Sequence, residues 1–170
     1  LEIHTIGDVR PAGICGSGVA DVLAGLLALG RLDETGLLDD GEEAWTLAPG
    51  VAFTQGDVRQ VQLAKSAVRS GIETLMARAG LTAEDLAELA IAGGFGSYLS
   101  LDSAAAIGLI PPTLKPRCRV LGNAALAGAS MLLRSRPLLE ESAALAKSAV
   151  TADLATDPIF MEQYVKQMMF

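Results

Sequence analysis

The sequence predicts an α/β domain with a small mixed sheet flanked by helices, in which short strands end in glycine turns that lead into helices. Three such turns occur along the chain, at Gly16-Ser17-Gly18, Gly93-Gly94-Phe95-Gly96 and Gly122-Asn123. Apolar residues make up 51% of the 170 residues, which is enough for a sizeable core, and only 4% are aromatic. The core should therefore consist mainly of aliphatic side chains. In open α/β sheets, turns of this kind place ligands at the carboxyl ends of the strands.

Charge and cysteine content exclude several classes of function. The net charge is −7 at pH 7, which argues against a nucleic-acid partner because phosphate binding requires a basic face. Cys15 and Cys118 are far apart and lack metal-binding spacing, so this chain alone should build neither a zinc nor an iron–sulfur site. We expect both cysteines to be reduced core residues, as is usual in the cytoplasm.

The ends and the hydropathy of the chain lead to two further expectations. No apolar run reaches the roughly 18 uninterrupted residues of a membrane span, so we expect no membrane partner. The chain starts at Leu1 without a methionine or a signal peptide, which suggests a segment of a longer protein.

The first third of the chain predicts a strand, a buried helix and a hairpin. Alternation over Leu1–Ile6 indicates a short strand. The helix Val19–Leu29 is apolar nearly all round and should end at Gly30, and residues 31–43 form an acidic loop. Two short strands, Trp45–Leu47 and Val51–Phe53, should pair around Pro49-Gly50.

A long helix is predicted over Asp57–Arg78, capped by Thr54 or Asp57 at its start and by Gly80 at its end. Apolar residues recur at helical spacing and should form its buried face. They are Val58, Val61, Leu63, Ala64, Val68, Ile72, Leu75 and Met76. A capped helical turn follows at residues 81–86.

The apolar run Leu89–Ala92 predicts a buried strand that stops at Gly93-Gly94. Glycine reaches positive φ and presents N–H groups that a ligand can approach closely. A plain turn between a strand and a helix is the alternative interpretation.

The remaining elements alternate in the same manner. They are a helix Ser103–Ile107 capped by Asp102, a strand Arg119–Leu121, a helix Ala124–Arg134 rich in small residues, a helix Leu138–Lys147, an edge strand Val150–Leu154, and a last helix opened by Asp157-Pro158.

The three glycine turns together indicate a nucleotide cleft, because helix N-termini offer free N–H groups and a partial positive charge to phosphates. None matches a P-loop, and Gly13-x-x-Gly16-x-Gly18 has the wrong order for the dinucleotide fingerprint.

Five segments resemble one family in the same order along the chain. They are GICGSGVADVLAGLL, VRQVQLAKSAVRSGIETLM, IAGGFGSYL, AAAIGLIP and GNAALAGAS. The segment at Gly93-Gly94 resembles the adenosine motif of the actin-like, ribonuclease-H-like ATPases (the ASKHA superfamily). The segment at Gly122 is similar to the second connecting helix of that superfamily. The combination resembles the reductive activators of corrinoid proteins, the RACo family, over nearly the whole chain.

The resemblance implies an ATPase that returns cob(II)alamin in a corrinoid protein to the cob(I) state. It implies that residues 1–170 are a single C-terminal lobe. A ferredoxin-like domain with a 2Fe-2S cluster, and the phosphate loops, would lie elsewhere in the parent chain. ATP with Mg²⁺ should then bind weakly to this fragment, which alone should be inactive. The catalytic residue is not identified, and homodimerisation stays open.

The resemblance also suggests the nucleotide contacts. Gly93 and Gly94 should lie under adenine and ribose, with Phe95 nearby or else packed in the core, and Gly96 closes this motif. Gly16, Ser17 and Gly18 should face the ribose and phosphates. Asp21 should contact a ribose hydroxyl or cap its own helix. Gly122 and Asn123 are the last candidates, and the Asn123 side chain could equally bond within its own turn.

Polar residues on the long helix complete the expected site. Gln62, Lys65 and Ser66 match the spacing of the Glu-x-x-Lys-Arg motif with which chaperone ATPases contact adenosine, and Arg69 follows one turn later. Gln62, Lys65 and Arg69 share one helical face and can point together into the cleft. Gln62 and Ser66 depart from the chaperone pattern, and a solvated basic stripe is the alternative.

Two other functions remain open. One is a small-molecule kinase of the same superfamily, and the other is a non-catalytic docking or dimerisation module using the helix 124–134 and Met168-Met169-Phe170.

We also expect the sheet to have an exposed edge.

Overall fold

The computed structural model describes residues 2–39 and 43–170, which form seven α-helices and two small β-sheets. The helices are α1 (Gly16–Ala28), α2 (Gln55–Ala79), α3 (Gly94–Tyr98), α4 (Leu101–Ala106), α5 (Ala124–Arg134), α6 (Arg136–Ser148) and α7 (Pro158–Lys166). The strands are β1 (Ala44–Ala48), β2 (Val51–Thr54), β3 (Leu89–Ala92) and β4 (Cys118–Gly122). The α/β prediction is confirmed, but the strands form two separate pairs and not one mixed sheet.

The predicted N-terminal strand is wrong. Leu1 lies outside the described residues, Glu2–Thr5 have no regular structure, and Ile6–Asp8 form a single 3₁₀ turn. An alternating segment becomes a strand only where a second strand pairs with it, and no described strand pairs with these residues.

Helix α1 forms where expected but begins earlier, because Cys15 caps it. It buries Ala20, Leu23 and Leu26. Gly30 follows the helix at φ +64°, as predicted for the residue that ends it. The acidic loop after it folds back on itself through a bridge between Leu32 and Leu38, and its residues 40–42 lie outside the described ranges.

The hairpin prediction is confirmed. Strands β1 and β2 pair antiparallel with Trp45 opposite Phe53. Thr54 then caps α2 through a capping box, in which its hydroxyl accepts from the Asp57 N–H at 3.0 Å and the Asp57 carboxylate accepts from the Thr54 N–H at 2.8 Å. The bond from the Thr54 hydroxyl, followed by the one from its N–H, lowers the pKa of Asp57.

Helix α2 does not bury the face that its apolar pattern predicted. Val58 and Met76 are buried, but Leu63, Val68 and Leu75 are 41–51% exposed. The buried positions between them are polar: Gln62, Lys65, Ser66, Ser70 and Thr74. The reason is tertiary, because α7 and the residues after it pack along this polar face.

Strands β3 and β4 pair in parallel, with Ile91 opposite Val120 and Ala92 opposite Gly122. Within the described residues each pairs only with the other, so the expected open edge is present. The prediction that the Gly93-Gly94 turn leads into a helix is confirmed, although α3 starts already at Gly94, within the predicted turn.

Two further details in the second half differ from prediction. Ser100, and not Asp102, caps α4, because its hydroxyl accepts the Ser103 N–H at 3.2 Å while Asp102 pairs with Lys115. Residues 150–154 are irregular and form no edge strand, since no strand in the described ranges lies beside them.

One aliphatic core joins α1, the hairpin and α4. Its buried members are Ala20, Leu23, Leu26, Leu32, Leu38, Phe53, Val58, Leu99, Ala104, Ile107 and Ile110. The cysteines are free thiols, but Cys15 is exposed and Cys118 only partly buried, so neither is the core residue expected. Burial raises the pKa of Cys118.

Candidate functional site

The first glycine turn forms the first turn of α1. The Cys15 sulfur accepts the Gly18 N–H at 3.4 Å and lies 3.5 Å from the Ser17 hydroxyl. The hydrogen bond with Ser17, and then that from Gly18, lower the pKa of the Cys15 thiol. This end of α1 therefore favours negative charge, as helix N-termini do.

The first and second glycine turns meet through Phe95. A Cβ placed on Gly16 would lie 3.3 Å from two carbons of the Phe95 ring, so glycine allows α1 to approach α3 closely. The ring is 53% exposed. The structure thus places Phe95 at a surface between two turns and not in the core.

The second and third glycine turns meet through a backbone hydrogen bond. The Gly93 N–H donates to the Gly122 carbonyl at 2.8 Å, and the two residues have φ of +103° and +64°. Gly96 is buried, and a Cβ there would lie 2.5 Å from Cγ2 of Ile91. The starts of α1, α3 and α5 therefore converge beyond the carboxyl ends of β3 and β4, a junction that concentrates helix-dipole positive potential.

The backbone at this junction leaves space for a ligand. A Cβ on Gly93 or Gly94 would meet no atom within 4 Å. The described residues therefore fit a group that lies against the Gly93-Gly94 backbone.

Asn123 and Asp21 both bond within the protein. The Asn123 side chain accepts the Leu126 N–H at 3.0 Å and caps α5. The Asp21 carboxylate accepts the Ser103 hydroxyl at 2.6 Å and so joins α1 to α4, instead of capping its own helix. Contact of either residue with a nucleotide stays a prediction.

A cavity of ≈ 470 Å³ adjoins the start of α1. Ser17, Gly18 and Asp21 line one side, and residues of the N-terminal segment and the hairpin line the other. The residues Gly93–Gly96 do not contribute to it, so the cavity and the glycine junction lie on different sides of the same helix start.

The polar residues of α2 share one face, as predicted, but the C-terminal residues cover that face. The Gln62 amide donates to the carbonyls of Thr35 and Met168, both at 3.0 Å. The Lys65 ammonium donates to the Met169 carbonyl, and Arg69 pairs with Glu73 at 2.8 Å. Gln62 and Lys65 are therefore not open to a cleft, and the stripe is not solvated.

Lys65 is the most unusual titratable group of the described chain. Only 2% of it is exposed, and its Nζ lies 4.8 Å from the centroid of the Phe170 ring. Burial, assisted by the nearby Arg69 charge, lowers the pKa of Lys65 to about 8.

Sequence reasoning missed three partners in this region: Ser103 beneath Asp21, Gly36 against Gln62, and Phe170 over Lys65. Only Gly36 carried a local signal, as a single glycine within a polar loop. The other two pairs are separated by 82 and about 100 residues, and no local pattern joins them.

Residues 2–39 and 43–170 contain no group of three or more His, Cys, Asp or Glu side chains arranged to hold a metal ion. None of the helices described is both long and apolar enough for a membrane span.

Comparison with known proteins decides the family. A family model described as the C-terminal domain of RACo, the ASKHA domain, matches residues 1–170. The chain belongs to this family. The predicted resemblance is thereby confirmed over the whole chain.

Relatives of the RACo C-terminal family agree with this assignment. The chain is 32% identical to the corrinoid activation enzyme RamQ of Eubacterium limosum, covering 100% of this chain and 33% of the relative. It is 30% identical to the [Co(II) methylated amine-specific corrinoid protein] reductase of Methanosarcina barkeri, covering 99% and 31%. A solved structure of a reductive activator for a corrinoid, iron–sulfur protein superposes with a TM-score of 0.85 at 29% identity, covering 99% and 30%. The chain thus spans about a third of the length of these relatives.

Proposed function

We propose that this chain is the nucleotide-binding C-terminal lobe of an ATP-dependent reductive activator of a corrinoid protein. The observation that carries the proposal is the junction of three glycine turns, where the Gly93–Gly122 bond and the Gly16–Phe95 contact bring three helix starts together. Three relatives whose names describe corrinoid activation support the choice of client.

In this proposal the parent protein is cytoplasmic and carries the phosphate loops and a 2Fe-2S domain, which supplies the electron. ATP with Mg²⁺ supplies free energy for an uphill electron transfer. This chain's part is to hold the nucleotide at the Gly93-Gly94 backbone and to favour a closed form of the protein. ATP can drive such a change only through different affinities for the two forms, and the same coupling alters affinity for the corrinoid protein.

The decisive experiment measures ATP turnover by the full-length protein with and without a corrinoid protein in its Co(II) state. We expect turnover to rise when the oxidised client is added, and the same client in its active state serves as control. No stimulation by any corrinoid client would contradict the proposal. Phosphorylation of a sugar or a short-chain acid would instead support the kinase.

Replacement of Gly94 tests the site itself. Because a Cβ at Gly94 meets no protein atom within 4 Å and Gly94 has no positive φ, Gly94→Ala should leave the fold intact. If the nucleotide lies against this backbone, the added methyl should weaken ATP binding by about tenfold or more, the cost of roughly 1.4 kcal/mol of lost contact. Isothermal titration of the full-length protein with ATP measures this.

Gly128→Ala is the matched control. Gly128 also has open space at Cβ, so the same methyl is added within α5, one turn after the helix start. We expect Gly128→Ala to bind ATP with the same affinity as the wild type. Equal affinity of Gly94→Ala and wild type would show that the nucleotide does not contact Gly94.

A further inference from the structure

The covered face of α2 has the composition of a ligand-binding face. Burying polar groups costs free energy unless each finds a partner, so a permanently covered helix face is normally apolar. Helix α2 shows the reverse, since Gln62 and Lys65 are at most 4% exposed while Val68 and Leu75 are about half exposed. The segment that covers Gln62 and Lys65 must therefore supply hydrogen-bond acceptors to them.

That cover is the C-terminal strap, which we define as residues 158–170, comprising α7 and the residues that follow it. The strap meets the polar face through backbone carbonyls. Ser66 donates to the Tyr164 carbonyl, Gln62 to that of Met168 and Lys65 to that of Met169. Any ligand rich in acceptor oxygens could take the place of these carbonyls.

The end of the strap adds an aromatic ring to those acceptors. Phe170 places its ring 4.8 Å from the Lys65 ammonium, a cation–π contact, and its N–H donates to the Glu34 carbonyl at 2.9 Å. An adenine nucleotide could make the same two kinds of contact, with its ring over the ammonium and its ribose and phosphate oxygens as hydrogen-bond acceptors.

The match between strap and face is incomplete. The Ser70 hydroxyl is fully buried and has no hydrogen-bond partner among the described residues. A buried polar atom without a partner costs free energy, which favours a second state in which this face is uncovered. An ion pair lies immediately before the strap, where Asp157 caps α7 and its Oδ2 accepts from Arg78 Nε at 2.6 Å.

We propose that the C-terminal strap is an intramolecular competitor of nucleotide: it covers the polar face of α2 in the free protein, and an adenine nucleotide displaces it. This rests on the proposed function and assigns the polar face of α2 to the nucleotide site, together with the Gly93-Gly94 backbone. The apparent affinity for the nucleotide is then the intrinsic affinity multiplied by the fraction of molecules in which the face is uncovered.

The test removes the ring and measures ATP affinity in the full-length protein. Phe170→Ala removes the cation–π contact that holds the strap, so the α2 face should be uncovered in a larger fraction of molecules. We therefore expect the variant to bind ATP about tenfold more tightly than the wild type. Met161→Ala is the matched control, because it removes a half-exposed side chain from α7 within the same strap, so its affinity should stay within about twofold of wild type. Unchanged or weaker binding by Phe170→Ala overturns the competition.

Hydrogen exchange provides a second measurement that does not depend on the variant. If ATP displaces the strap, the amides of residues 158–170 should lose protection when ATP is added to the wild-type protein. Increased protection would show that the strap belongs to the nucleotide-bound form and would overturn the inference alone. Absence of ATP binding in wild type and in both variants would overturn the proposed function and this inference with it.

Discussion

Gly36→Ala is expected to lower the free energy of unfolding by about 3 kcal/mol or more. Gly36 has φ +80°, and a side chain in the left-handed region costs roughly 1–2 kcal/mol. The new Cβ would also lie 2.6 Å from Cδ of Gln62, so the amide would have to leave its place. Displacing it breaks the hydrogen bonds to the Thr35 and Met168 carbonyls and leaves buried groups without partners, which costs about 1–3 kcal/mol more.

Gly50→Ala separates the cost of a side chain at positive φ from the cost of displacing Gln62. Gly50 has nearly the same φ, +81°, at the exposed tip of the hairpin, and a Cβ there meets no atom within 4 Å. It should lose only the conformational part, about 1 kcal/mol. Urea denaturation of the 170-residue chain, followed by circular dichroism, measures both. Equal losses would show that the Gln62 contact contributes nothing to stability.

Lys65→Met is expected to change how the stability of the chain depends on pH. Burial lowers the pKa of Lys65 from 10.5 to about 8, so between these values the unfolded chain holds a proton that the folded chain has released. The free energy of unfolding of the wild type should therefore rise as the pH increases from about 8 to 10.5, and Lys65 should contribute no slope below that window. We expect this rise in the wild type to amount to about 3 kcal/mol across the window, since each pKa unit corresponds to about 1.4 kcal/mol, and we expect Lys65→Met to lack it.

The measurement is urea denaturation at several pH values between 7 and 10.5, and the slope is compared between wild type and variant, so that the other titrating groups cancel. Lys147→Met removes the same charge from an exposed position on α6 and should leave the slope as in the wild type. A parallel pH dependence of Lys65→Met and wild type would contradict the burial of a charged Lys65.

Local signals predicted much of the fold and the glycine turns from which the candidate site is built. The Thr54 capping box, the Pro49-Gly50 turn and the Asp157-Pro158 helix start each act through neighbours within a few residues, and each forms as expected. The three glycine turns were likewise visible, because positive φ and close backbone approach both require glycine.

The wrong strands and the wrong face of α2 share one physical cause. Residues 2–6 and 150–154 have strand-like patterns, but a strand needs a partner, and its pattern does not say whether one is present. The apolar spacing of α2 correctly predicted a helix but chose the wrong face, since burial depends on which distant segment packs there.

By itself the sequence determined the family, the α/β class, the helix boundaries to within a few residues and the glycine turns, all of which depend on residue type and short spacing. Only the tertiary structure decided that Gly93 bonds Gly122, that Phe95 packs on Gly16, and that Phe170 lies over Lys65. These contacts join positions tens of residues apart. Packing of the whole chain selects them, because the free energy gained at each distant contact must exceed the entropy lost in closing the loop between its ends.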